Sequence, residues 1–140
     1  AKVVEASKDN PVFYVQYAHA RIRSLQRRAA EAGLEGDGSA DLALLDEEEL
    51  ALVRIAAQFP RIVEAAAQAH EPHRVAFYLG DLAAAFHALW NRGNDDPSRR
   101  FLIEDNLKLT SARLELAAAM GQILRNGLNI MGVTAAEEMQ

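Results

Sequence analysis

Four side chains near the start of the chain have the types and spacing for binding chemistry: Tyr14, Tyr17, Arg21 and Arg28. They recur at i, i+3, i+7 and i+14, so on a helix they share one border. Aromatic faces accept an unstacked base, and guanidinium groups donate to base edges and phosphates; single-stranded RNA loops are held in this way. Arg23, on the same stretch, adds a further cation for a phosphate. Two other readings stay open from the residues alone. The tyrosines can pack beside the core with satisfied hydroxyls, or the border can contact another protein.

No other group of residues has the pattern of a catalytic centre. There is no glycine-rich phosphate loop followed by a lysine, and no Gly-x-Ser-x-Gly elbow. The histidines are His19, His70, His73 and His87. His70 and His73 are three apart, but Pro72 places a helix start between them, and zinc needs at least one more ligand. Surface, capping or hydrogen-bonding roles are the expectation, with no metal and no cofactor held by this chain.

Helices must position these groups. Asn10 can cap the first, and Pro11 suits its first position, where a missing N–H costs nothing. Val12, Val15, Ile22, Leu25, Ala29 and Ala32 form its apolar face, and Gly33 is its expected stop. Residues 1–9 read as a lead-in segment or linker, with a single helical domain over 10–140. Residues 33–45 have the glycines and acids of a loop. The run Asp46-Glu47-Glu48-Glu49 opens a second helix, as acids in a first turn suit the dipole; it reads as a solvated face or an acidic docking patch. Phe59-Pro60 interrupts that helix, and Pro60 opens a third carrying Ile62, Val63 and Ala66. Glu71-Pro72 opens a fourth with Val75, Leu79, Leu82, Phe86 and Leu89 as its core stripe. Gly93 is expected to end it, with Asn91 to Arg100 as a polar turn. The fifth is expected from Thr110 to Ile130, with Leu116, Met120, Ile123, Leu124 and Met131 inward and Gly127 weakening it. No sustained period-2 pattern suggests a sheet. The fold class is all-α, a bundle of about five helices.

Composition agrees. Half of the 140 residues are hydrophobic and glycine and proline are few, which favours helices. There is no cysteine, so disulfides and thiolate metal sites are excluded and a cytoplasmic setting is expected. No apolar run approaches the roughly 20 residues of a membrane span, and no signal peptide is evident. The first residue is alanine, as in a piece of a longer chain, a processed chain or a chosen start. The net charge of −5 argues against gripping nucleic acid, DNA in particular, by bulk electrostatics. The charge is uneven, however: residues 1–34 carry +3 and residues 35–50 carry −7. A polyanion should therefore meet the first helix and avoid the second segment.

The stretch Asn10-Pro11-Val12-Phe13-Tyr14-Val15-Gln16-Tyr17-Ala18-His19-Ala20-Arg21-Ile22 resembles the start of the C-terminal, DALR-type anticodon-binding domain of arginyl-tRNA synthetases. Glu71-Pro72-His73-Arg74-Val75-Ala76-Phe77-Tyr78-Leu79 is similar to that family's middle helix. Leu124-Arg125-Asn126-Gly127-Leu128-Asn129-Ile130-Met131-Gly132-Val133 is similar to its last. The three occur in the family's order and span most of the chain, although the literal Asp-Ala-Leu-Arg tetrapeptide is absent. The resemblance implies a class I synthetase type of anticodon-binding domain that holds tRNA for arginine and reads the middle anticodon cytosine. It implies that Tyr14 and Arg21 border the pocket for that base and that Met139 closes it. Tyr17, Arg23, Arg28, Tyr78 and Arg125 are further tRNA-binding candidates, Arg125 also being placed to cap carbonyls at a helix end. The signature motifs that activate the amino acid are absent. The resemblance therefore implies that ATP-dependent ligation lies in the catalytic domain of a parent arginine–tRNA ligase, which becomes a partner of this domain. The alternative is a helical protein–protein module with no RNA role.

Overall fold

The computed structural model describes residues 11–35 and 39–139. Residues 1–10, with the expected cap Asn10, lie outside the described residues. Five α-helices follow in order: α1 (Pro11–Glu31), α2 (Glu47–Ala56), α3 (Phe59–Ala69), α4 (His73–Asp95) and α5 (Leu107–Ile130). Two 3-10 turns, Leu42–Leu44 and Pro97–Arg99, lie in the connections. No strand occurs among the described residues.

The central rod is α4, which packs against α1, α2, α3 and α5. Its stripe Val75, Leu79, Leu82, Phe86 and Leu89 is buried as the 3–4 spacing requires. Val15, Ala18, Ile22 and Leu25 of α1 and Leu116, Met120, Leu124 and Leu128 of α5 complete the core.

Of the three glycines expected to stop or weaken helices, Gly33 follows the end of α1 with φ +70, while Gly93 and Gly127 lie inside helices. Gly93 is buried within α4, which runs on to Asp95. A side chain there would meet the backbone and Cγ of Arg100 at 3.0–3.4 Å, so the glycine lets the returning chain press against the helix. The expected polar turn from Asn91 is thus shorter, and α5 begins three residues earlier than Thr110, capped by Asn106 onto the Leu109 amide. Gly127 sits on the α4–α5 contact, where a Cβ would stand 2.6 Å from both methyls of the buried Leu79. Close approach of a neighbouring segment, the returning chain at Gly93 and α4 at Gly127, outweighs propensity at both sites.

The acidic run is neither simply solvated nor free for docking. Asp46 caps α2 by accepting from the Glu49 amide, and the Glu49 carboxylate accepts in return from the Asp46 amide, a capping box. Asp46 also pairs with Arg99 at 2.9 Å, Glu47 with Arg54 at 2.8 Å and Glu48 with Arg92 at 2.8 Å. Glu49 is buried and accepts from Arg113 Nε at 2.8 Å, while the same guanidinium donates to the Ser98 and Arg100 carbonyls. One ion pair therefore ties α2, α5 and the turn after α4. No described helix is long and apolar enough to cross a membrane.

Candidate nucleic-acid interface

The last nine described residues build one wall of the site. At the end of α5, Gly132 adopts φ +76, the left-handed conformation that glycine reaches without a Cβ penalty. The Gly132 amide then bonds to Asn129 and the Val133 amide to Leu128, closing the helix. The chain turns back along α1 as a strap. Gln16 donates to the Thr134 carbonyl and accepts from the Ala136 amide, and His19 Nδ1 donates to the Ala136 carbonyl at 2.5 Å. Arg23 pairs with Glu137 at 2.6 Å, Arg125 joins the same carboxylate at 3.0 Å, and Arg27 reaches the Glu137 carbonyl. The bond from Arg23 holds the Glu137 carboxyl below its ordinary range. Residues 16, 19, 23 and 27 share one edge of α1, so the strap has a continuous row of anchors.

Beyond this row lies the opposite border of α1. The strap's end brings Met139 and Glu138 to a hollow of about 340 Å³, lined also by Tyr17, Ala20, Arg21, Ser24 and Arg27. Ala20 is buried although it points away from the core; its small side chain leaves room in the hollow. Arg21 is held from several sides. It donates to the Tyr17 hydroxyl at 3.0 Å and to His87 Nδ1 at 3.1 Å. Its guanidinium lies 4.9 Å from the Tyr17 ring centre and 5.0 Å from that of Trp90. Two of its five N–H groups are used by those hydrogen bonds, leaving three for a ligand.

The structure brings together Tyr17, Arg21 and Met139. Tyr14 stands behind them, half-buried, its ring 4.8 Å from His87. Arg28 lies further along α1, 5.6 Å from the Trp90 ring centre. Arg23 and Arg125 are engaged with Glu137 on the strap and hold the wall. Tyr78 is away from the hollow: it is buried, and its hydroxyl donates to the Ile55 carbonyl at 2.7 Å and reaches the Ala56 carbonyl at 3.2 Å, both in the last turn of α2. Burial pushes its pKa up to about 12. The sequence reading missed His87 and Trp90 on α4, Arg27, and the strap residues Glu137 and Glu138. The spacing of His19, Arg23 and Arg27 was visible, but nothing marked the strap that uses it.

His87 is buried against Tyr14, Tyr17 and Phe86. Burial, reinforced by the Arg21 guanidinium, lowers its pKa to about 4, with the Tyr14 backbone pulling weakly the other way. Because arginine only donates, Nδ1 is the acceptor and the proton sits on Nε2, which is buried and has no hydrogen-bond partner. His19 is also lowered, first by desolvation. A histidine with a depressed folded pKa contributes full stability above its unfolded value of about 6.5 and loses it as the unfolded chain takes up a proton. Unfolding free energy is therefore expected to fall by about 1 kcal/mol between pH 6 and pH 5 on account of His87, with His19 acting in the same direction. Urea titrations at both values check this, and His87→Gln should remove its share of the slope. No group of three or more potential metal-ligating side chains occurs among the described residues.

Fold and hollow together define an all-helical module whose leading helix presents a recess edged by a tyrosine, arginines and a methionine. Comparison with known proteins agrees. A family model described as the DALR anticodon binding domain matches residues 15–139, and the chain belongs to that family. It is 61% identical over 139 residues to the arginine–tRNA ligase of Novosphingobium aromaticivorans, covering 99% of this chain and 24% of that protein. It is 58% identical to the corresponding ligase of Parvibaculum lavamentivorans, covering 100% and 25%. The arginyl-tRNA synthetase structure from Thermus thermophilus superposes with a TM-score of 0.80 at 35% identity, over 96% of this chain and 22% of that one. The chain thus spans about a quarter of the length of these relatives.

Proposed function

We propose that this chain binds the anticodon loop of arginine tRNA and reads its middle base, cytosine, in the hollow between α1 and the strap. The observation that carries the reading is the convergence of Tyr17, Arg21 and Met139 on one recess. Every arginine codon has G at its second position, so C is the one anticodon base common to all its tRNAs. A base lifted out of the loop stacks against the Tyr17 ring and Met139, with Tyr14 supporting His87 behind. Stacking of this kind is worth about 1–3 kcal/mol per base.

Discrimination follows from edge chemistry. The Watson–Crick edge of cytosine offers two adjacent acceptors, a ring nitrogen and a carbonyl oxygen, beside an amino donor. The unused Arg21 N–H groups suit the acceptors, and the Glu138 carboxylate at the same recess suits the amino group. In uracil that ring nitrogen carries a hydrogen and the amino group becomes a carbonyl, so both contacts turn repulsive and leave polar groups unpaired. ATP-dependent ligation, and the catalytic domain as a partner, belong to the remainder of a longer parent protein acting in the cytoplasm.

Filter binding of the chain to arginine tRNA and to a variant with U in the middle position tests the reading. At least a tenfold preference for C is expected. Equal affinity for both would overturn base reading, and association with a protein partner without any RNA affinity would favour the protein–protein alternative.

A further inference from the structure

Ion pairing inside the fold sorts the arginines. Arg23, Arg54, Arg74, Arg92, Arg99, Arg113 and Arg125 each pair with a carboxylate. Among the described residues, Arg21, Arg27, Arg28, Arg61 and Arg100 have no carboxylate within 4.0 Å. Arg21 and Arg27 line the hollow already assigned to the middle base. Arg28 and Arg100 line a second one, of about 360 Å³, with Trp90, Asn94, Phe101 and Leu102 among its walls. The chain neutralises most of its guanidiniums and leaves four of the remaining five at two recesses.

The second recess is built for more than charge. Trp90 and Phe101 stack with ring centres 5.5 Å apart, giving it a rigid aromatic wall. Arg28 lies over the Trp90 ring. Arg100 spends its Nε–H on the Gly93 carbonyl, so its terminal N–H groups are available while the side chain is anchored. That anchoring needs Gly93, where any Cβ would press on Arg100. Asn94 adds an amide that can both donate and accept. The two recesses adjoin, because Arg21 of the first stands over the Trp90 ring of the second. Arg21 and Arg28 are seven residues apart, which is about 10 Å along a helix, a step a splayed nucleotide backbone can cover.

We propose that the recess between the end of α4 and residues 100–102 is a second nucleotide site, taking the RNA nucleotide adjacent to the middle anticodon base. Arg28 and Arg100 meet its phosphates and the Trp90–Phe101 wall meets its sugar or base. This second site rests on the anticodon reading of the first recess. Backbone contacts carry no sequence information, so the second recess adds affinity and register while tolerating the anticodon positions that differ among arginine tRNAs.

The test measures the affinity of the chain for an arginine anticodon stem-loop against salt, with C or U in the middle position. Arg28→Gln combined with Arg100→Gln is expected to weaken binding about tenfold for both RNAs alike. It should also reduce the slope of log K against log salt by about two, one for each phosphate that is no longer neutralised. The ratio of C to U affinity should not change. Because Arg100 also braces Gly93, Arg28→Gln alone provides a second variant whose fold is undisturbed, with a slope change of about one. Unchanged affinity and slope in both variants, with the wild-type preference for C present, would overturn the second site alone. Absence of a preference for C in the wild-type chain would overturn the first reading instead.

Discussion

Glu49→Ala is expected to destabilise the chain by about 3–5 kcal/mol, the cost typical of removing one partner from a buried ion pair. Glu49 and Arg113 are both nearly inaccessible, with side-chain exposures of 3% and 6%. With Glu49 removed, the Arg113 guanidinium keeps its bonds to the Ser98 and Arg100 carbonyls but has no counter-charge. The Asp46 amide also loses the acceptor that completes the capping box. The melting midpoint should drop by about 10 °C or more. Glu49→Leu with Arg113→Met should recover part of the loss, since no charge is then buried; the Asp46 amide stays without its acceptor as in the single variant, and the Ser98 and Arg100 carbonyls are added to it, at about 1–3 kcal/mol for each buried group left unpaired. Thermal and urea unfolding of the three proteins checks the order. A single variant as stable as the wild type would show that the pair does not organise the α2–α5 contact.

The largest effect on binding is expected at Arg21. Arg21→Ala should weaken binding of an arginine anticodon stem-loop about 30- to 100-fold, or roughly 2–3 kcal/mol, and bring C and U close to equal affinity. The reason is geometric. Arg21 is fixed by Tyr17, His87 and Trp90, so little side-chain entropy remains to be lost on binding. Its loss removes the donor fork and releases Tyr17. Arg21→Lys separates charge from geometry: an ammonium retains the attraction to phosphate but not the planar pair of donors. It should keep more affinity at low salt than the alanine variant, with discrimination still lost. Helix content by circular dichroism should match the wild type in both. An alanine variant with intact preference for C would remove Arg21 from the site.

The rim of α1 was legible because helical spacing places Tyr17, Arg21 and Arg28 on one side whatever they touch. The resemblance pointed to Met139, but nothing in its immediate neighbours does so, since its place depends on a strap anchored more than a hundred residues away in sequence. His87 and Trp90 were hidden for a related reason. On α4 they lie beside the core stripe, and a position there reads as packing until the neighbouring helix is in place. The fates of Arg23 and Arg125 were equally invisible, because a cation facing a phosphate and a cation facing Glu137 are identical in sequence.

Periodicity, proline positions and the acidic first turn at Asp46–Glu49 are local, and they alone determined that the chain is helical and, to within a few residues in most cases, where its helices begin and end. Tertiary structure decided the remainder. It overrode the weak helix propensity of Gly93 and Gly127 because only a residue without a Cβ admits the close approach found there. It also chose which arginines are neutralised and which face solvent beside an aromatic ring. Those choices depend on distances between elements remote in sequence, and a one-dimensional pattern carries no term for them.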